Sequence, residues 1–405
     1  MPRGAGPNWW EKEETLVEGG EALVPFIRRY PLVLSRGEGV RVFDERGRAY
    51  WDFLAGIGVT SLGHNHPLVK AAIAEAIPLL HTSNLYWNRP AMELAGALAK
   101  ISGTWQVFFA NSGTEANEAA IKFIRRHTLA SNRHCILSMQ GGFHGRTLGS
   151  LAMTPNPKYQ DPFRPLPEGF AAVAYDDVPA LEAALRSLSP AAVMVEAIQG
   201  EAGVIVPRRG YLRAVADLCR RYGALLAVDA VQTGMGRTGT WFGFEDDEIT
   251  PDLVTLAKGL GAGVPIGAVL ARPQVVAAMQ PGEHASTFGG NPLATRVGLA
   301  VVQWLQDEGL THVRRVAAQL ENSLLELMAR HQSKVRAVRG RGLMWAIVLN
   351  MPSAPVVERL LGQGLLVNAI APDVIRLLPP LVVDEPAIDA AVAILDDVLA
   401  GETAG

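Results

Sequence analysis

The sequence predicts an α/β fold built on a largely parallel sheet with helices on both faces. Between about residues 65 and 290, short apolar runs rich in strand-forming residues alternate with segments of helical periodicity. Near-continuous apolar strands that alternate with helices are typical of parallel sheets covered on both sides. The chain has 405 residues, which is too long for one ordinary core, so we expect two domains in one compact body.

Five apolar runs in the central part of the chain predict strands of this sheet. In chain order they read QVFFA, CILSM, AAVMVEA, LLAVD and LVTLA. Two earlier segments, PLVKAAIAEAIPLL and RPAMELAGALAKIS, have helical periodicity, and Pro90 stands where proline favours the start of a helix. Ligands of such folds bind at the carboxyl ends of the strands. Polar residues that directly follow these runs are therefore candidates for a functional site.

The character of the chain changes after residue 290. Asn291 and Pro292 form a cap and first turn for a long helix, and a second helical segment follows. Shorter strand-like runs then occur in VRAVRG, GLMWAIVLN and LLVNAI, before a final amphipathic helix in EPAIDAAVAILDDVLAG. We therefore expect a large domain at 56–290 and a smaller α/β domain that combines 1–55 with 291–405.

Composition and charge indicate which kinds of molecule the protein binds and in which compartment it works. The net charge of −3 provides no basic surface for nucleic acid. The two cysteines, Cys135 and Cys219, lack the spacing of metal ligands and suit a reducing compartment. No apolar run reaches the roughly 18 residues of a membrane span, and the N-terminus has no apolar signal segment. We expect a cytoplasmic protein without a metal that acts on small molecules.

One lysine and one aspartate stand at the ends of predicted strands. Lys258 follows an apolar run and precedes a glycine-rich loop in LVTLAKGLGAGVPIG, and Asp229 ends the run ALLAVD. A lysine that forms an imine and an acid that keeps a ring nitrogen protonated are what pyridoxal phosphate (PLP) requires of a protein. Taken alone, either residue also fits an ordinary strand end, because lysines there usually extend to solvent.

The segment FANSGTEANEAAIKFIRR predicts a strand, a tight polar turn and a helix. Backbone N–H groups at the start of a helix, with the hydroxyls of Ser112 and Thr114, suit a phosphate group. The same turn also fits a plain helix cap. Ser286 and Thr287 in STFGGNP precede another helix start and suit a phosphate in the same way. Neither a Walker loop nor a GxGxxG motif is present, which argues against a dinucleotide-binding fold.

The segment GGFHGRT joins an aromatic residue, a glycine turn and a cation. Phe143 has a face that can stack on a flat ring, and the guanidinium of Arg146 can bind a carboxylate through two hydrogen bonds. The alternative is a surface loop in which His144 is a hydrogen-bonding turn residue. Later in the chain, Glu201 and Arg376 are candidates for an ion pair between the domains.

Together these motifs resemble those of the class III PLP-dependent aminotransferases. NSGTEAN, FHGRT, QGE, DAVQTGMGRTG, TLAKGLGAGVPIG and STFGGNP occur in the family's order, and the likeness runs from about residue 25 to 400. Within the family, HTSNLYWN, FHGRTLGSLAMT and PKYQDPFRPL are most similar to the acetylornithine aminotransferases, followed by lysine-biosynthesis enzymes that act on a carrier-bound substrate. The resemblance implies the PLP-dependent transferase fold of type I and a homodimer with its sites at the subunit interface.

The resemblance also implies roles for individual residues. Lys258 is the catalytic lysine that binds PLP and moves the proton, and Asp229 pairs with the pyridine nitrogen. The implied contacts to the ring and phosphate are Ser112, Gly113, Thr114, Phe143, Gln232 and, reaching into the partner subunit's site, Thr287. The implied substrate contacts are Arg146 for the α-carboxylate of the donor, Arg376 for 2-oxoglutarate, Glu201 as the alternate partner of Arg376, and Ser286.

The implied reaction moves the terminal amino group of N2-acetyl-L-ornithine to 2-oxoglutarate, as in arginine biosynthesis, by ping-pong kinetics. Alternatives in the same family act on carrier-bound or acetylated lysine precursors, ornithine, succinylornithine or 4-aminobutyrate. An aminomutase needs no pocket for 2-oxoglutarate, so the pair of Arg376 and Glu201 argues against it. A catalytically silent protein of this fold is disfavoured by the presence of Lys258 and Asp229.

Four positions depart from the pattern of the family. Relatives usually have proline, glycine and glutamate where this chain has Ala197, Ala202 and Ala230, and a tyrosine near Ile27. None of these changes removes a residue that the chemistry requires. The last one faces the substrate in relatives, so it concerns the choice of donor.

Overall fold

The computed structural model describes residues 20–24, 26, 27, 29–103 and 105–401. The interpretation of the N-terminus as lacking a signal segment concerns residues 1–19, which lie outside the described residues. In the described ranges the strands are β1 (Leu34–Glu38), β2 (Arg41–Asp44), β3 (Ala49–Asp52), β4 (Gln106–Ala110), β5 (Ile136–Met139), β6 (Phe170–Val173), β7 (Ala192–Glu196), β8 (Leu225–Asp229), β9 (Leu253–Leu256), β10 (Gly267–Ala271), β11 (Val335–Arg341), β12 (Met344–Leu349), β13 (Leu365–Leu366), β14 (Asn368–Ala371) and β15 (Val374–Leu377).

The helices connect and cover these strands. They are α1 (Ala55–Gly58), α2 (Pro67–Ala76), α3 (Arg89–Ser102), α4 (Gly113–His127), α5 (Leu148–Ala152), α6 (Pro157–Gln160), α7 (Val178–Leu188), α8 (Tyr211–Tyr222), α9 (Pro273–Val276), α10 (Pro292–Trp304), α11 (Leu310–Arg330), α12 (Ser353–Gly362) and α13 (Glu385–Ala400). Among the helices of the described part, none is both long enough and apolar enough to cross a membrane.

The large sheet has seven strands in the order β4-β10-β9-β8-β7-β5-β6. All neighbouring pairs from β9 to β6 are parallel, whereas β10 runs antiparallel to both β9 and β4. The predicted, mostly parallel sheet is therefore confirmed, together with the five predicted strand runs. The sequence analysis did not identify β6 or β10.

Both faces of the large sheet are buried, as the continuous apolar strands predict. Leu226 and Val228 of β8 pack into the main core, and Ala227 between them packs into a second cluster on the opposite face. This alternation follows from the two-residue period of a strand. Because both faces are covered by protein, the ends of the strands are the parts of the sheet that can meet a ligand.

Local sequence signals set the ends of the helices. Asn291 caps α10 by accepting a hydrogen bond from the Ala294 N–H at 2.8 Å, as predicted. The segment predicted as one helix from PLVKAAIAEAIPLL ends as an α-helix at Ala76 and continues as a 3₁₀ turn. Pro78 explains the change, because proline lacks the N–H that would continue the α-helical hydrogen bonds.

The N-terminal and C-terminal segments form the smaller α/β part. β1, β2 and β3 pair in order, and β13 adds to β3 in parallel register, with Leu365 opposite Trp51. β11, β12, β15 and β14 form a separate antiparallel sheet. The predicted fold class is thereby confirmed, while the residue bounds given above for the two domains stay a prediction.

Candidate active site

The carboxyl ends of four strands meet at one edge of the large sheet. β4, β7, β8 and β9 run in the same direction, because β10 is antiparallel to both β4 and β9. A cavity of about 390 Å³ lies at this edge. The predicted site residues that line it are Ser112, Gly113, Thr114, Phe143, Arg146, Glu201, Asp229, Gln232 and Lys258.

Three donors hold the carboxylate of Asp229 at the end of β8. Asn117 Nδ2 donates to Oδ2 at 2.8 Å, the Val231 N–H donates to Oδ1 at 3.0 Å, and His144 Nδ1 lies 2.8 Å from Oδ2. Burial alone would raise the pKa of Asp229, but the hydrogen bond and charge of His144, with the other two donors, outweigh burial and lower it. Asp229 therefore remains ionised at the wall of the cavity.

His144 packs behind Asp229 and is only 2% exposed. This burial corrects the alternative in which GGFHGRT is a surface loop. The His144 N–H donates to Thr154 Oγ1 at 2.9 Å, and its carbonyl accepts from Asn117 Nδ2 at 2.7 Å. Burial acts to lower the pKa of His144, but the Asp229 carboxylate raises it more strongly, so the pKa is raised overall. The FHG motif predicts a histidine in a turn, but it does not predict that the histidine is buried.

Glu196 ends β7 directly beside Asp229, its register partner on β8. Its Oε2 accepts the Phe143 N–H at 3.0 Å, and the residue is 6% exposed. Burial, with the negative charge of Asp229, raises the pKa of Glu196 to about 8 against the opposing effect of His144. Glu196 is thus mainly protonated at neutral pH and adds little charge to the cavity. The sequence analysis did not propose it as a site residue.

Lys258 leaves β9 with a backbone φ of 44°, which is uncommon for a residue other than glycine. The chain turns there into a short 3₁₀ segment, Lys258–Gly261, and the lysine lines the cavity. Burial lowers the pKa of Lys258, although Glu201 and Asp229 act to raise it. A lowered pKa increases the fraction of neutral amine, the form that reacts with carbonyl groups.

The turn before α4 brings the start of a 15-residue helix to the cavity. Ser112 Oγ accepts from the Glu115 N–H at 3.2 Å, so the predicted helix cap exists. The first N–H groups of a helix have no acceptor within the helix and attract anions. A Cβ added to Gly113 would lie 2.8 Å from the Val231 side chain. Glycine therefore permits a close approach between this turn and the cavity wall.

Arg376 and Glu201 meet, although they belong to different parts of the fold. Arg376 on β15 is fully buried, and its Nη1 lies 2.6 Å from Glu201 Oε1. Gln232 Nε2 donates to the same carboxylate oxygen at 3.2 Å. Burial alone would raise the pKa of Glu201, but the charge and hydrogen bond of Arg376 lower it. The result is an ion pair in which Glu201 lines the cavity and Arg376 lies buried behind it.

Arg146 lies at the exposed side of the cavity and contacts aromatic rings. Its Cζ is 4.0 Å from the centre of the Tyr159 ring and 5.3 Å from that of Phe143. Phe143 and Tyr159 meet edge to face, with ring centres 6.2 Å apart. The sequence analysis did not single out Tyr159, although PKYQDPFRPL contains it.

Ser286 and Thr287 do not line this cavity. Ser286 Oγ accepts from Asn111 Nδ2 at 3.2 Å and from the Gly289 N–H at 3.0 Å. Thr287 is exposed beside Phe288, a large apolar side chain that is 60% exposed. Their predicted roles therefore depend on a second subunit and stay predictions.

All four departures from the family pattern also lie outside the lining of the cavity. Ala197 and Ala230 are each 1% exposed and pack in the core beside the strand ends, whereas Ile27 is 52% exposed. The described part of the chain therefore places none of the four side chains in the lining of this cavity.

Comparison with known protein families gives a match over nearly the whole chain. The family model "Aminotransferase class-III" matches residues 27–399. The acetylornithine aminotransferase of Methanocaldococcus jannaschii is 45% identical over 379 residues, which are 91% of this chain and 94% of that protein.

Solved structures of similar proteins share the fold. The ornithine aminotransferase from Toxoplasma gondii superposes with a TM-score of 0.91 at 34% identity, covering 95% of this chain and 94% of that one. The N-acetylornithine aminotransferase from Stenotrophomonas maltophilia superposes with a TM-score of 0.80 at 37% identity, covering 93% and 96%. The fold is thus common to proteins whose names give different amino donors.

Proposed function

Because this chain belongs to the class III aminotransferases, we propose that it transfers the terminal amino group of N2-acetyl-L-ornithine to 2-oxoglutarate. The products are N-acetylglutamate semialdehyde and L-glutamate, a step of arginine biosynthesis. The observation that carries the proposal is one cavity lined by Lys258, Asp229 and Arg146, with Glu201 in its wall paired to the buried Arg376. The names of the most similar relatives support the choice of donor.

The residues around the cavity fit PLP, the cofactor of this family. Phe143 and Val231 line it together with the carboxylate of Asp229 and the start of α4. When bound, PLP supplies an aldehyde that condenses with primary amines and a protonated ring that accepts the electrons of a broken C–H bond. An ionised aspartate, an aromatic face and a helix N-terminus are complementary to its ring nitrogen, ring face and phosphate.

Each of these residues has a defined task in the proposed site. Lys258 holds the cofactor and moves a proton as base and then as acid. Asp229 keeps the ring nitrogen protonated, and His144 and Asn117 keep Asp229 ionised. Gln232 also lines the cavity and would contact the ring oxygen of the cofactor. The phosphate would be bound by Ser112, Gly113 and Thr114, with Thr287 added from the second subunit.

The two arginines account for two substrates of different charge. The donor carries one carboxylate, which Arg146 binds, while Glu201 neutralises Arg376. 2-Oxoglutarate carries two carboxylates, and its second one replaces Glu201 at Arg376. An aminomutase would have no use for such an exchange, and the presence of the Arg376–Glu201 pair therefore favours a transaminase.

A half-reaction assay tests the donor. Wild-type enzyme loaded with PLP is mixed separately with N2-acetylornithine, ornithine, 4-aminobutyrate and N-acetyl-lysine, and the loss of cofactor absorbance is followed. We expect N2-acetylornithine to give the largest second-order rate constant. A larger constant for ornithine would refute the proposed donor while leaving the reaction class intact.

A substitution tests the reaction class itself. Lys258→Ala should abolish turnover and the absorbance of lysine-bound PLP, because no other described lysine lines the cavity. Lys100→Ala, at an exposed position in the last turn of α3, is the matched control and should retain both. Turnover and absorbance that survive Lys258→Ala would contradict the role of this lysine.

We also propose a cytoplasmic homodimer with Thr287 at the interface. Leu85, Tyr86 and Trp87 are 88%, 69% and 90% exposed, and Phe288 next to Thr287 is also exposed. Large apolar patches of this kind are typical of protein interfaces. Cys135 and Cys219 are both unpaired, which suits a reducing compartment. Sedimentation of the wild type against Trp87→Glu should show a dimer that the substitution weakens; a wild-type monomer would refute the proposal.

A further inference from the structure

The guanidinium of Arg146 is held by aromatic faces. Its Cζ lies 4.0 Å from the Tyr159 ring centre, within the range of cation–π attraction, and 5.3 Å from that of Phe143. Within the described ranges, no carboxylate forms an ion pair with Arg146 and no hydrogen bond involves its side chain. An aromatic ring attracts the cation but is only a weak acceptor for its N–H groups. All five donors of Arg146 therefore stay available to a carboxylate.

Arg376 is an arginine that is held by a carboxylate and not by an aromatic ring. Glu201 already occupies its Nη1 at 2.6 Å, so an incoming carboxylate must displace a carboxylate of the protein. A cation that rests on an aromatic ring has no such competitor. The ring still limits where the guanidinium can lie, because the cation is attracted to a ring centre only 4.0 Å from its Cζ.

Tyr159 is itself fixed in place. It lies on α6, whose first turn is capped by Asn156 through a 3.1 Å bond from the Lys158 N–H. The next residue, Gln160, donates its amide to the carbonyls of Leu151 and Ala152 at 3.0 and 3.1 Å. Tyr159 also meets Phe143 at a ring angle of 89°. The ring is therefore a supported platform for Arg146, which itself lines the cavity.

We propose that Tyr159 is a positioning residue that selects amino donors bearing a carboxylate, because its ring holds Arg146 with the N–H edge free for that group. This inference rests on the proposed function, in which Arg146 binds the donor's carboxylate. Tyr159 does not line the cavity, so it acts through Arg146 and not by touching the donor. Its effect should be limited to substrates that Arg146 binds.

The experiment compares two donors that differ only in the carboxylate. N2-Acetylornithine and N-acetylputrescine, its decarboxylated counterpart, are reacted with PLP-loaded wild type and with Tyr159→Leu in the half-reaction assay. We expect the variant to raise the half-saturating concentration of N2-acetylornithine by about three- to tenfold, the size of a partly exposed cation–π contact. The rate constant for N-acetylputrescine should stay within about twofold. The inference would be overturned if Tyr159→Leu slowed the reaction with both donors equally, or with neither donor.

Three further variants sharpen this result. Tyr159→Phe keeps the ring and should behave as the wild type. Phe170→Leu is a control that removes a comparable cation–π contact on the edge strand β6, where Arg125 Cζ lies 4.9 Å from the centre of the Phe170 ring. This substitution should leave the reaction with both donors unchanged. In the double variant Arg146→Ala/Tyr159→Leu, the second change should add no further loss, because Tyr159 acts through Arg146. If the losses of the two single variants added up in the double variant, Tyr159 would not act through Arg146.

Failure of this inference differs from failure of the proposed function. If the wild type does not react with N2-acetylornithine but reacts with ornithine, the proposed donor is wrong. The same comparison is then made with ornithine and putrescine, which again differ only in the carboxylate. If the wild type reacts as proposed and Tyr159→Leu has the wild-type preference, only the role of Tyr159 is wrong.

Discussion

The deep end of the cavity and its exposed side are stabilised in different ways. At the deep end, Asp229, His144 and Glu196 are 2–6% exposed and are connected by hydrogen bonds of 2.8–3.0 Å to side chains and backbone. At the exposed side, Arg146 rests on the rings of Phe143 and Tyr159 without a hydrogen bond in the described residues. The deep end thus controls charge and protonation, whereas the exposed side leaves donors free for a substrate.

Substitutions at the deep end and at the exposed side should therefore change different kinetic parameters. Changes at the deep end alter the charge that acts on the reacting atoms, so they should reduce kcat and also affect stability. Changes at the exposed side alter a contact that substrate and transition state share, so they should raise KM. The following predictions test this division, starting with the largest effect.

Asp229→Asn should reduce kcat by at least about a hundredfold, the scale of removing one preorganised electrostatic group. The amide keeps the size of the side chain, but it has no charge to hold a protonated ring nitrogen. Steady-state kinetics with saturating substrates measures the loss. A kcat within tenfold of the wild type would remove the distinction between the deep end and the exposed side.

Asp252→Asn, in the residue that directly precedes β9, provides the matched control. Asp252 accepts the Leu226 N–H of β8 at 2.9 Å, near the end of the strand opposite Asp229. Its substitution should lower stability slightly and leave kcat within about twofold, because the residue is remote from the cavity. A large loss of kcat in this control would mean that any disturbance of β8 lowers kcat, whether or not the charge of Asp229 is removed.

Arg376→Ala and Arg146→Ala should separate stability from substrate affinity. Without Arg376, Glu201 is left as a charge that is only 28% exposed, and we expect the free energy of unfolding to fall by about 2–3 kcal/mol. Arg146→Ala should change it by less than about 0.5 kcal/mol. It should nevertheless raise the KM of the amino donor by about ten- to a hundredfold, the value of charge-assisted hydrogen bonds.

Denaturant unfolding and donor KM, measured on both variants, check this prediction. Equal destabilisation by the two substitutions would show that the exposed side is as much a part of the folded framework as the deep end. An unchanged donor KM in Arg146→Ala would count against its role as the carboxylate-binding group.

Glu196→Gln should change the pH dependence of stability. The pKa of Glu196 is raised to about 8 in the folded protein, above its value in an unfolded chain. Its contribution is therefore fully present below about pH 4.5 and is lost as pH rises through the folded pKa of about 8. Wild type should lose stability relative to the variant between about pH 5 and pH 8. Parallel stability profiles for the two proteins would contradict a neutral Glu196.

Much of the fold could be predicted from the sequence because its signals are local. Apolar runs indicate strands, and Asn291 with Pro292 indicates a helix start; both appear in the structure. The antiparallel strand β10 was missed, because an apolar run such as GAVLA does not encode the direction in which it pairs. Direction and neighbours depend on contacts that are distant along the chain.

The site shows the same limit. Residues that follow predicted strands, Asp229 and Lys258 among them, were identified from position and chemical type alone. Asn117 and His144 were not recognised as partners of Asp229, because 112 and 85 residues separate them from it along the chain. Tyr159 was missed for a related reason. Its contact with Arg146 joins the short helix α6 to a loop, and no periodic pattern predicts their relative placement.

The reversed direction of β10 has a consequence for the dynamics of the site. Residues 257–266 join β9 to β10, which is shorter than the dozen or more residues that a parallel return requires. At the start of β10, a Cβ added to Gly267 would lie 2.2 Å from the Ser112 carbonyl, so the lysine loop abuts the turn before α4. Amide protons of these two segments should therefore exchange with solvent in one cooperative opening, and the cofactor's two anchoring points would loosen together.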